Sequence, residues 1–522
     1  MDTKALRQKI LDLAIRGKLV PQDPSDEPAS VLLERIREQK KQMVKEGKLK
    51  AKDIKNDTII FVGEDNLHYE KFADGTVKCI EEEIPFEVPE GWEWTRLGSL
   101  FSTITGSTPS TKDASLYGDE YPFYKPTDLD AGFDVCFSED TVSEKGYKNG
   151  RILPVYSVLV TCIGATIGKT GYIRNSGICN QQINAILPNT FILPEYTYFC
   201  MCSEFEQQQI WTNSSATTLP ILNKSKFDSL FFPVPPKAQQ TRTVERIKEL
   251  LHFVEIIQQE KRTLQETIKL TKSKILDLAI RGKLVPQDPN DEPASVLLER
   301  IRTEKEELIK QGKIKRDKKS SIIFRGDDNS YYLRTGEVEE SLENWRFDDL
   351  PETWEICCLC ELCDYGDCIS VNTEDIAEDA WILDLEDIEK DTGTVLKKVA
   401  KAQRNSVSTK HKFHSGQVLY SKLRPYLNKV VLSDADGYCT SEILPLEFKN
   451  CVLPEYARYY LMSGTFIAYA NHCSYGVKMP RLGTTDGKKA IFSLPPLSEQ
   501  KRIVETIDFF FMQLNKISEA LA

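Results

Sequence analysis

Apolar residues recur at intervals of three and four positions along residues 238–282, and this heptad spacing is typical of a coiled coil. The a positions are Ile247, Val254, Lys261, Ile268 and Ile275, and the d positions are Leu250, Ile257, Leu264, Thr271 and Leu278. The pattern predicts one helix over residues 238–282, about 67 Å long at about 1.5 Å per residue. The plainer interpretation of such a stripe is ordinary buried core, which packing against a second helix would provide.

Both ends of the chain repeat parts of this helix. Residues 497–522 match its first half, with a positions at Ile507, Leu514 and Leu521 and d positions at Phe510 and Ile517. Residues 1–17 match its second half, with apolar positions at Leu6, Ile10 and Leu13. We therefore expect the two ends to form one interrupted copy of the central helix, antiparallel to it. This would give the chain a circular, pseudo-twofold arrangement.

A direct repeat is the most informative feature of the sequence. Residues 10–37 recur at 275–302, 265 positions later, with the single change of Ser25 to Asn290. The similarity then weakens but continues, and Leu193–Tyr196 matches Leu453–Tyr456 at an offset of 260. This period is far too long for a solenoid, so we interpret the chain as two whole units.

The repeated block predicts a second helix in each unit. A turn rich in helix breakers follows Gly17 and Gly282, and we expect a helix to begin near Pro28 or Pro293, where proline is tolerated in the first turn. The helix should end at Gly47 in unit one and at Gly312 in unit two. The identity of the two copies suggests that something outside the chain docks there twice. The alternative is that the helices pack only against one another.

Between the helical parts lie two regions with little mutual identity, residues 90–234 (head one) and 350–494 (head two). They carry turn residues together with aromatic and β-branched runs, which predict short strands. A constant helical frame that holds two different heads is what two recognition modules with different targets require.

Composition limits the class of protein. The chain has 522 residues, of which 28% are charged, and no apolar run is long enough to span a bilayer. Fourteen cysteines without a secretion signal fit reduced thiols in the cytoplasm, where we place the protein, better than a disulfide framework. The net charge of −11, taken alone, argues against a nucleic-acid partner.

The distribution of charge answers that objection. Residues 145–194 contain no Asp or Glu, and neither does the matching stretch Thr392–Ser433 of head two. Both stretches carry several Lys and Arg, which is what a surface facing DNA phosphates requires. A solvated basic face is the alternative, but its recurrence in two divergent heads favours the DNA interpretation.

Together these features resemble the specificity subunit of type I restriction–modification systems, and the resemblance covers essentially the whole chain. The segments that carry it are the doubled RGKLVPQDPxDEPASVLLERI block, Pro235–Gln240, Pro495–Gln500, Gly164–Lys169, Ile178–Ile186 and Ser421–Lys429. The resemblance implies two target recognition domains that each recognise half of a bipartite site in double-stranded DNA. It also implies two docked methyltransferase subunits, additional restriction (translocase) subunits, and helices that set the spacing.

In such a system the chain is not an enzyme by itself and has no cofactor of its own, since S-adenosylmethionine and ATP with Mg²⁺ bind to the partner subunits. The expected fold is α+β, with two mixed α/β target recognition domains separated by long antiparallel coiled-coil helices. The expected segments are a helical region (1–86), target recognition domain 1 (87–236), a central region with the spacer helix (237–346), target recognition domain 2 (347–496) and half of the second spacer helix (497–522). The alternative function is a coiled-coil scaffold that binds proteins and recognises no DNA.

Candidate DNA contacts come from the two acid-free stretches and their surroundings. Arg and Lys suit guanine and phosphate, whereas Asn and Gln suit adenine. In head one the candidates are Lys125, Thr166, Lys169, Arg174, Asn180, Gln181, Gln182 and Asn184. In head two they are Lys422, Arg424, Asn428, Lys429, Lys478 and Arg481. Any one of them could equally be an ordinary surface polar residue.

Local motifs that resemble other sites are incomplete. Residues 164–170 are one residue short of a phosphate-binding P-loop, so we expect a strand–turn–strand hairpin that presents Lys169. Cys357–Cys368 lacks the second ligand pair of a zinc ribbon, so we expect buried apolar cysteines and no metal. Asp384–Lys390 is expected to be a solvated acidic turn rather than a nuclease cluster. Val234–Lys237 lacks the polar and aromatic residues of an amino-methyltransferase motif, so an enzyme fused to its own heads is not supported.

Overall fold

The computed structural model describes the chain except residues 1, 48, 52–53, 216–218, 314–320, 327, 329, 343–349, 405–406 and 522. The expected boundary between residues 346 and 347 lies outside the described residues. The chain divides into two compact units, Met1–Glu260 (unit one) and Lys261–Ala522 (unit two). Each contains both helices and sheets, which confirms the α+β expectation.

Unit one contains the first eight helices and twelve strands in chain order, although its last helix ends in unit two. The helices are α1 (Thr3–Ile15), α2 (Ala29–Lys45), α3 (Leu97–Leu100), α4 (Glu144–Asn149), α5 (Pro194–Met201), α6 (Glu204–Asn213), α7 (Lys224–Asp228) and α8 (Lys237–Ala279). The strands are β1 (Ile59–Val62), β2 (His68–Lys71), β3 (Val77–Cys79), β4 (Glu93–Arg96), β5 (Thr103–Thr105), β6 (Tyr117–Tyr124), β7 (Thr141–Val142), β8 (Val158–Thr161), β9 (Thr170–Tyr172), β10 (Ile178–Cys179), β11 (Ile183–Ile186) and β12 (Phe231–Val234).

The sheets of head one are small. The largest has the order β5-β11-β8-β9, and a second has the order β10-β6-β7, with β10 parallel to β6. In the larger sheet β8 pairs antiparallel with both neighbours, so that Ile183 lies opposite Thr161. Strand β12 returns to pair with β4, which closes the head next to the start of α8. Before the head, β1, β2 and β3 form a separate antiparallel meander.

Helices and head share one core in unit one. Ile10 and Leu11 of α1 are buried in the same apolar cluster as Val244 and Ile247 of α8. Gly17, which ends the α1 region at a φ of +65°, lies so close to Pro89 that an added Cβ would be 2.4 Å from the proline ring. The repeated block is therefore tied to the entry of its head by close packing.

Unit two repeats this plan with the remaining elements. Its helices are α9 (Ala294–Lys310), α10 (Leu359–Leu362), α11 (Pro454–Leu461), α12 (Gly464–His472), α13 (Thr484–Lys489) and α14 (Leu497–Leu521). Its strands are β13 (Ser321–Arg325), β14 (Tyr331–Thr335), β15 (Val338–Ser341), β16 (Glu355–Cys358), β17 (Ser370–Val371), β18 (Trp381–Leu383), β19 (Val399–Ala400), β20 (Lys410–Phe413), β21 (Val418–Ser421), β22 (Val430–Leu432), β23 (Gly437–Thr440), β24 (Ile443–Leu446), β25 (Ser474–Tyr475), β26 (Arg481–Leu482) and β27 (Ile491–Leu494).

Head two has the same kinds of sheet in different proportions. One sheet has the order β17-β20-β23-β18-β19 and another the order β22-β21-β24, while β16 pairs with β27 as β4 does with β12. Strands β25 and β26 form a short hairpin, and β13 to β15 form a meander before the head. Gly282 lies against Pro351 as Gly17 does against Pro89, with an added Cβ again 2.4 Å from the ring.

The helix predictions hold closely. Helix α8 runs over 43 residues, and α2 and α9 begin directly after Pro28 and Pro293. Gly47 and Gly312 follow these helices with φ of +72° and +71°, the left-handed conformation expected at a helix end.

The a and d positions of the heptad differ in burial. The a residues Ile247, Val254, Ile268 and Ile275 are buried. By contrast, the d residues Ile257 and Leu264 are 39% and 40% exposed, and Phe510 and Ile517 of α14 are 41% and 45% exposed. The exposed apolar d residues of α8 lie in the middle of the helix, whereas Leu250 and Leu278 nearer its ends are half-buried.

Two general features concern the whole described chain. All fourteen cysteines are free thiols. Among the described residues, no helix combines the length and the apolar character that crossing a membrane would need.

Candidate nucleic-acid interface

Three turns of head one meet at one surface. They are residues 161–169 between β8 and β9, residues 179–183 between β10 and β11, and, after α6, residues 214–215 and 219–222. Backbone hydrogen bonds join them, from Cys162 N to the Gln182 carbonyl (2.7 Å), from Gly164 N to the Pro220 carbonyl (3.0 Å) and from Leu222 N to the Cys162 carbonyl (2.8 Å). We call these three segments the three-turn surface of head one.

Head two contains the same construction 260 residues later. Lys422 N donates to the Glu442 carbonyl (3.0 Å), Arg424 N to the Pro480 carbonyl (2.7 Å) and Leu482 N to the Lys422 carbonyl (3.0 Å). Its three-turn surface comprises residues 421–429, 440–443 and 474–482. The two heads thus share a hydrogen-bonded backbone at this surface while their side chains differ.

The first turn carries two residues with positive φ in both heads. In head one they are glycines, Gly164 (φ +106°) and Gly168 (φ +88°). The equivalent residues of head two are Arg424 (φ +50°) and Asn428 (φ +47°). The left-handed conformation is energetically unfavourable for them because they have a Cβ. Positive φ at residues with a Cβ also occurs at Asn66, Tyr156 and Asp391, but only this turn of head two carries two such residues four positions apart among the described residues.

The first turn of head one is the expected hairpin and not a phosphate cradle. Strands β8 and β9 pair antiparallel on either side of it, which confirms the hairpin. Three of its amides donate within the turn, from Ile167 N to the Gly164 carbonyl (3.1 Å), from Gly168 N to the Thr161 carbonyl (2.8 Å) and from Lys169 N to the Thr166 carbonyl (3.0 Å). A P-loop needs those amides free for phosphate oxygens.

The polar candidates of head one are arranged around this surface. Thr166 is exposed at the tip of the first turn. In the second turn the Asn180 amide donates to Gln182 Oε1 (2.9 Å), and Thr108 donates to Gln181 Oε1 (2.5 Å). The structure therefore brings Thr166, Gln181 and Gln182 to one surface.

Asn184 is buried, as Asn180 is at 7% exposed, whereas Gln181 is exposed. Asn184 is 2% exposed in β11 and accepts a hydrogen bond from Thr105 (2.7 Å). In this conformation Asn184 stabilises the sheet and is not accessible to DNA.

The cationic candidates of head one are ion-paired with a neighbouring acidic segment, residues 128–140. The pairs are Lys125 with Asp140, Lys169 with Asp130 (2.6 Å) and Arg174 with Asp134 (2.9 Å). The hydrogen bond to Asp140 raises the pKa of the Lys125 ammonium. The sequence led us to expect a surface free of acids, and that expectation is wrong, because the fold brings these carboxylates back against the basic residues.

In head two some candidate residues already have side-chain hydrogen bonds within the protein. Arg481 binds both carboxylate oxygens of Glu442 (2.9–3.1 Å), and this hydrogen bonding raises the pKa of the guanidinium. Lys429 Nζ donates to the carbonyl of Leu385 (2.6 Å), and the Asn428 amide donates to that of Met462 (3.3 Å).

Other candidate cations of head two face solvent without an ion-pair partner in the described part of the chain. Lys422 is half-buried, and Lys478 is exposed at the third turn. The Nε atom of Arg424 is buried and lacks a hydrogen-bond partner among the described residues. These three residues lie on the three-turn surface, and they are the cations best placed for an anionic ligand.

Residues 384–390 were expected to be a solvated acidic turn, and the structure corrects this for Asp387, whereas Glu386 is 72% exposed. The side chain of Asp387 is fully buried and forms an ion pair with Arg404, which is itself only 9% exposed. Arg404 also donates to Asp384 (2.7 Å). The acids of this turn balance a buried arginine, so Arg404 is a structural cation and not part of a basic surface.

The cysteine-rich segment of head two is mainly core, as expected. Cys357, Cys358 and Cys363 are at most 1% exposed, while Cys360 and Cys368 are half-buried. Burial raises the pKa of the Cys357 and Cys363 thiols well above its usual value. No cluster of His, Cys, Asp and Glu suited to a metal ion occurs among the described residues.

The sequence analysis missed apolar residues at the tips of the turns in head two. Their exposed fractions are 47% for Tyr426, 62% for Tyr475, 101% for Val477 and 43% for Met479. Only polar and charged residues had been considered as DNA contacts. The run Tyr475–Pro480 could have indicated them, because it places apolar residues between the turn-forming residues Gly476 and Pro480.

Comparison with known proteins places the chain in a family. A family model described as "Type I restriction modification DNA specificity domain" matches residues 89–266 and 351–521. The chain is 27% identical to the type I restriction enzyme EcoAI specificity subunit of Escherichia coli, over 98% of this chain and 90% of that protein. It is 26% identical to the EcoEI specificity subunit of the same species, over 99% and 90%.

A solved structure agrees at the level of the fold. It comes from work on complex assembly and conformational transition of the type I R-M system, and it superposes with a TM-score of 0.53 at 16% sequence identity. The match covers 84% of this chain and 94% of the solved one. With both heads matched by the family model, the chain belongs to the type I restriction–modification DNA specificity family.

Proposed function

We propose that each head recognises one half of a bipartite DNA site through its three-turn surface. The observation that carries the proposal is the shared backbone of these surfaces, held by equivalent hydrogen bonds 260 residues apart, on which the side chains differ. A constant scaffold with variable side chains suits two different base sequences.

The charges at the surface fit this role. Lys422, Arg424 and Lys478 are available to phosphates and guanine in head two, and phosphate contacts supply affinity and position. The ion pairs of Lys125, Lys169 and Arg174 in head one are partly exposed, and such pairs contribute only about 0–1 kcal/mol. DNA phosphates can therefore replace their carboxylate partners at small cost.

The helices act as the spacer in this proposal. Helix α8, with α1 and α14, forms an antiparallel coiled coil that sets the gap between the half-sites, and the two units follow a circular, pseudo-twofold arrangement. The buried a positions Ile247, Val254, Ile268 and Ile275 support the helix pairing. The outermost residues, Met1 and Ala522, lie outside the described residues.

The repeated block docks the partners in this proposal. Ser30 and Glu34 are exposed, as are their identical counterparts Ser295 and Glu299, so internal packing does not explain their identity. We assign the two copies to two methyltransferase subunits, with restriction (translocase) subunits joining the complex. The chain supplies recognition and no catalysis, and S-adenosylmethionine, ATP and Mg²⁺ bind to the partners.

Mapping methylated adenines in cells that express this chain with its methyltransferase subunit tests the proposal. The expected result is one bipartite, asymmetric motif with a fixed gap, and a salt-dependent mobility shift of a duplex that carries the motif. A protein scaffold without DNA recognition predicts no motif that depends on this chain and no shift by the assembled complex.

A further inference from the structure

The three-turn surface of head two ends in an apolar tip. Val477 is fully exposed at the third turn, Met479 of the same turn is 43% exposed, and Tyr426 of the first turn is 47% exposed. The backbone bond from Arg424 N to the Pro480 carbonyl (2.7 Å) brings the first and third turns together, so these side chains belong to one surface. Exposed apolar side chains clustered in this way usually mark a binding site.

The charged residues around the apolar tip indicate which kind of ligand it binds. Lys478 follows Val477 directly in the chain, and Lys422 and Arg424 lie on the adjoining turn without ion-pair partners among the described residues. An apolar tip within a cationic rim fits a ligand that presents a small apolar group between phosphates. In the major groove of DNA that group is the 5-methyl of thymine.

We propose that head two recognises at least one thymine by apolar contact between Val477 and the 5-methyl group, and not only by hydrogen bonds. The inference rests on the proposed function and names part of its target. Tyr426 lies in the first turn between Arg424 and Asn428, both of which have positive φ. The left-handed residues on either side of Pro425–Leu427 fix the direction in which that tip projects.

Deoxyuridine substitution tests this at the level of one methyl group. The complex of this chain with its methyltransferase subunit is titrated with duplexes of the mapped motif, in which each thymine of both half-sites is replaced in turn by deoxyuridine. For the parent chain, at least one replacement should weaken binding about fourfold, the value for losing one buried methyl. With Val477→Ala the thymine and deoxyuridine duplexes should bind equally at that position.

The matched control is Val338→Ala, which removes the same atoms from a 69% exposed valine in the separate sheet β13–β15. It should keep the full sensitivity to deoxyuridine. The positions that Val477→Ala makes insensitive should all lie in one half-site.

Two outcomes overturn the inference while the proposed function stands. They are a motif whose thymines all tolerate deoxyuridine, and a sensitivity to deoxyuridine that persists in Val477→Ala. If, in the second case, Val477→Ala also weakens binding of the methyltransferase subunit, the tip is a protein contact. If the parent complex shifts no motif duplex, the proposed function fails together with the inference.

Discussion

The repeated helical block and the three-turn surfaces have opposite patterns of similarity. In residues 10–37 and 275–302 the side chains are the same at every position but one, whether buried like Ala29 and Ala294 or exposed like Ser30 and Ser295. At the three-turn surfaces the backbone hydrogen bonds are the same while the side chains differ. The first pattern indicates a common partner for the two units, and the second indicates two different targets on one scaffold.

The largest effect expected from this comparison is a complete change of specificity. Because the Gly–Pro contact at the entry of each head is the same, head one should fit in place of head two. A chain with residues 90–234 in both positions should methylate the first half-site joined to its inverted copy, as a pseudo-twofold arrangement requires. Methylation mapping checks this. Retention of the parental asymmetric motif, or half-sites in direct orientation, would contradict it.

Removing the cation that pairs with the acidic segment should destabilise head two much more than head one. In head two Arg404 and Asp387 form a buried pair, so Arg404→Ala should lower the free energy of unfolding by about 3–5 kcal/mol, because the buried Asp387 keeps only the more distant Lys397 (3.7 Å) as a cationic partner. In head one Lys169 and Asp130 form a partly exposed pair, and Lys169→Ala should cost at most about 1 kcal/mol. Denaturant unfolding measures both, and equal small effects would contradict the assignment.

The part that could be predicted from sequence follows from local chemistry. The proline and glycine limits of α2 and α9 and the extent of α8 depend on neighbours along the chain, and they were predicted within a few residues. The predictions that failed concern contacts between residues that are distant in sequence. The acid-free stretch 145–194 gave no indication that Asp130 would pair with Lys169, and Asp387 looked solvated because its partner Arg404 is 17 residues away. The d positions of the heptad looked equivalent to the a positions, but Ile257 and Leu264 in the middle of α8 are exposed.

Substitutions at the equivalent positions Gly164 and Arg424 should have smaller effects on stability, of opposite sign. Gly164→Ala should lower the free energy of unfolding by about 1–2 kcal/mol through its positive φ alone, since a Cβ there approaches nothing closer than 3.7 Å. Arg424→Gly relieves the strained backbone and should raise the free energy of unfolding by up to about 1 kcal/mol. Thermal unfolding of both variants measures this. A destabilised Arg424→Gly would show that the arginine side chain supports the fold and is not held there for recognition.

The smallest expected effects come from removing single phosphate contacts. Within head two they distinguish Lys422 from Lys429. Lys422 has no ion-pair partner in the described chain, whereas Lys429 donates to the Leu385 carbonyl (2.6 Å). Lys422→Ala should therefore weaken DNA binding by the assembled complex and reduce the slope of log K against log salt by about 0.9, the value for one phosphate. Lys429→Ala should reduce it less, because this lysine is already bonded within the head. Arg424→Ala should in addition relax one base position, by about 1–3 kcal/mol.

Lys310→Ala is the charge-matched control for these titrations, since Lys310 is exposed in the last turn of α9, outside the heads. It should leave the salt slope unchanged, because a charge lost away from the three-turn surface releases no counterion from a DNA contact. Parental slopes for Lys422→Ala, Lys429→Ala and Arg424→Ala together would show that this surface does not face DNA. A fall for Lys429→Ala as large as that for Lys422→Ala would mean that Lys429 exchanges the Leu385 carbonyl for a phosphate when the complex binds.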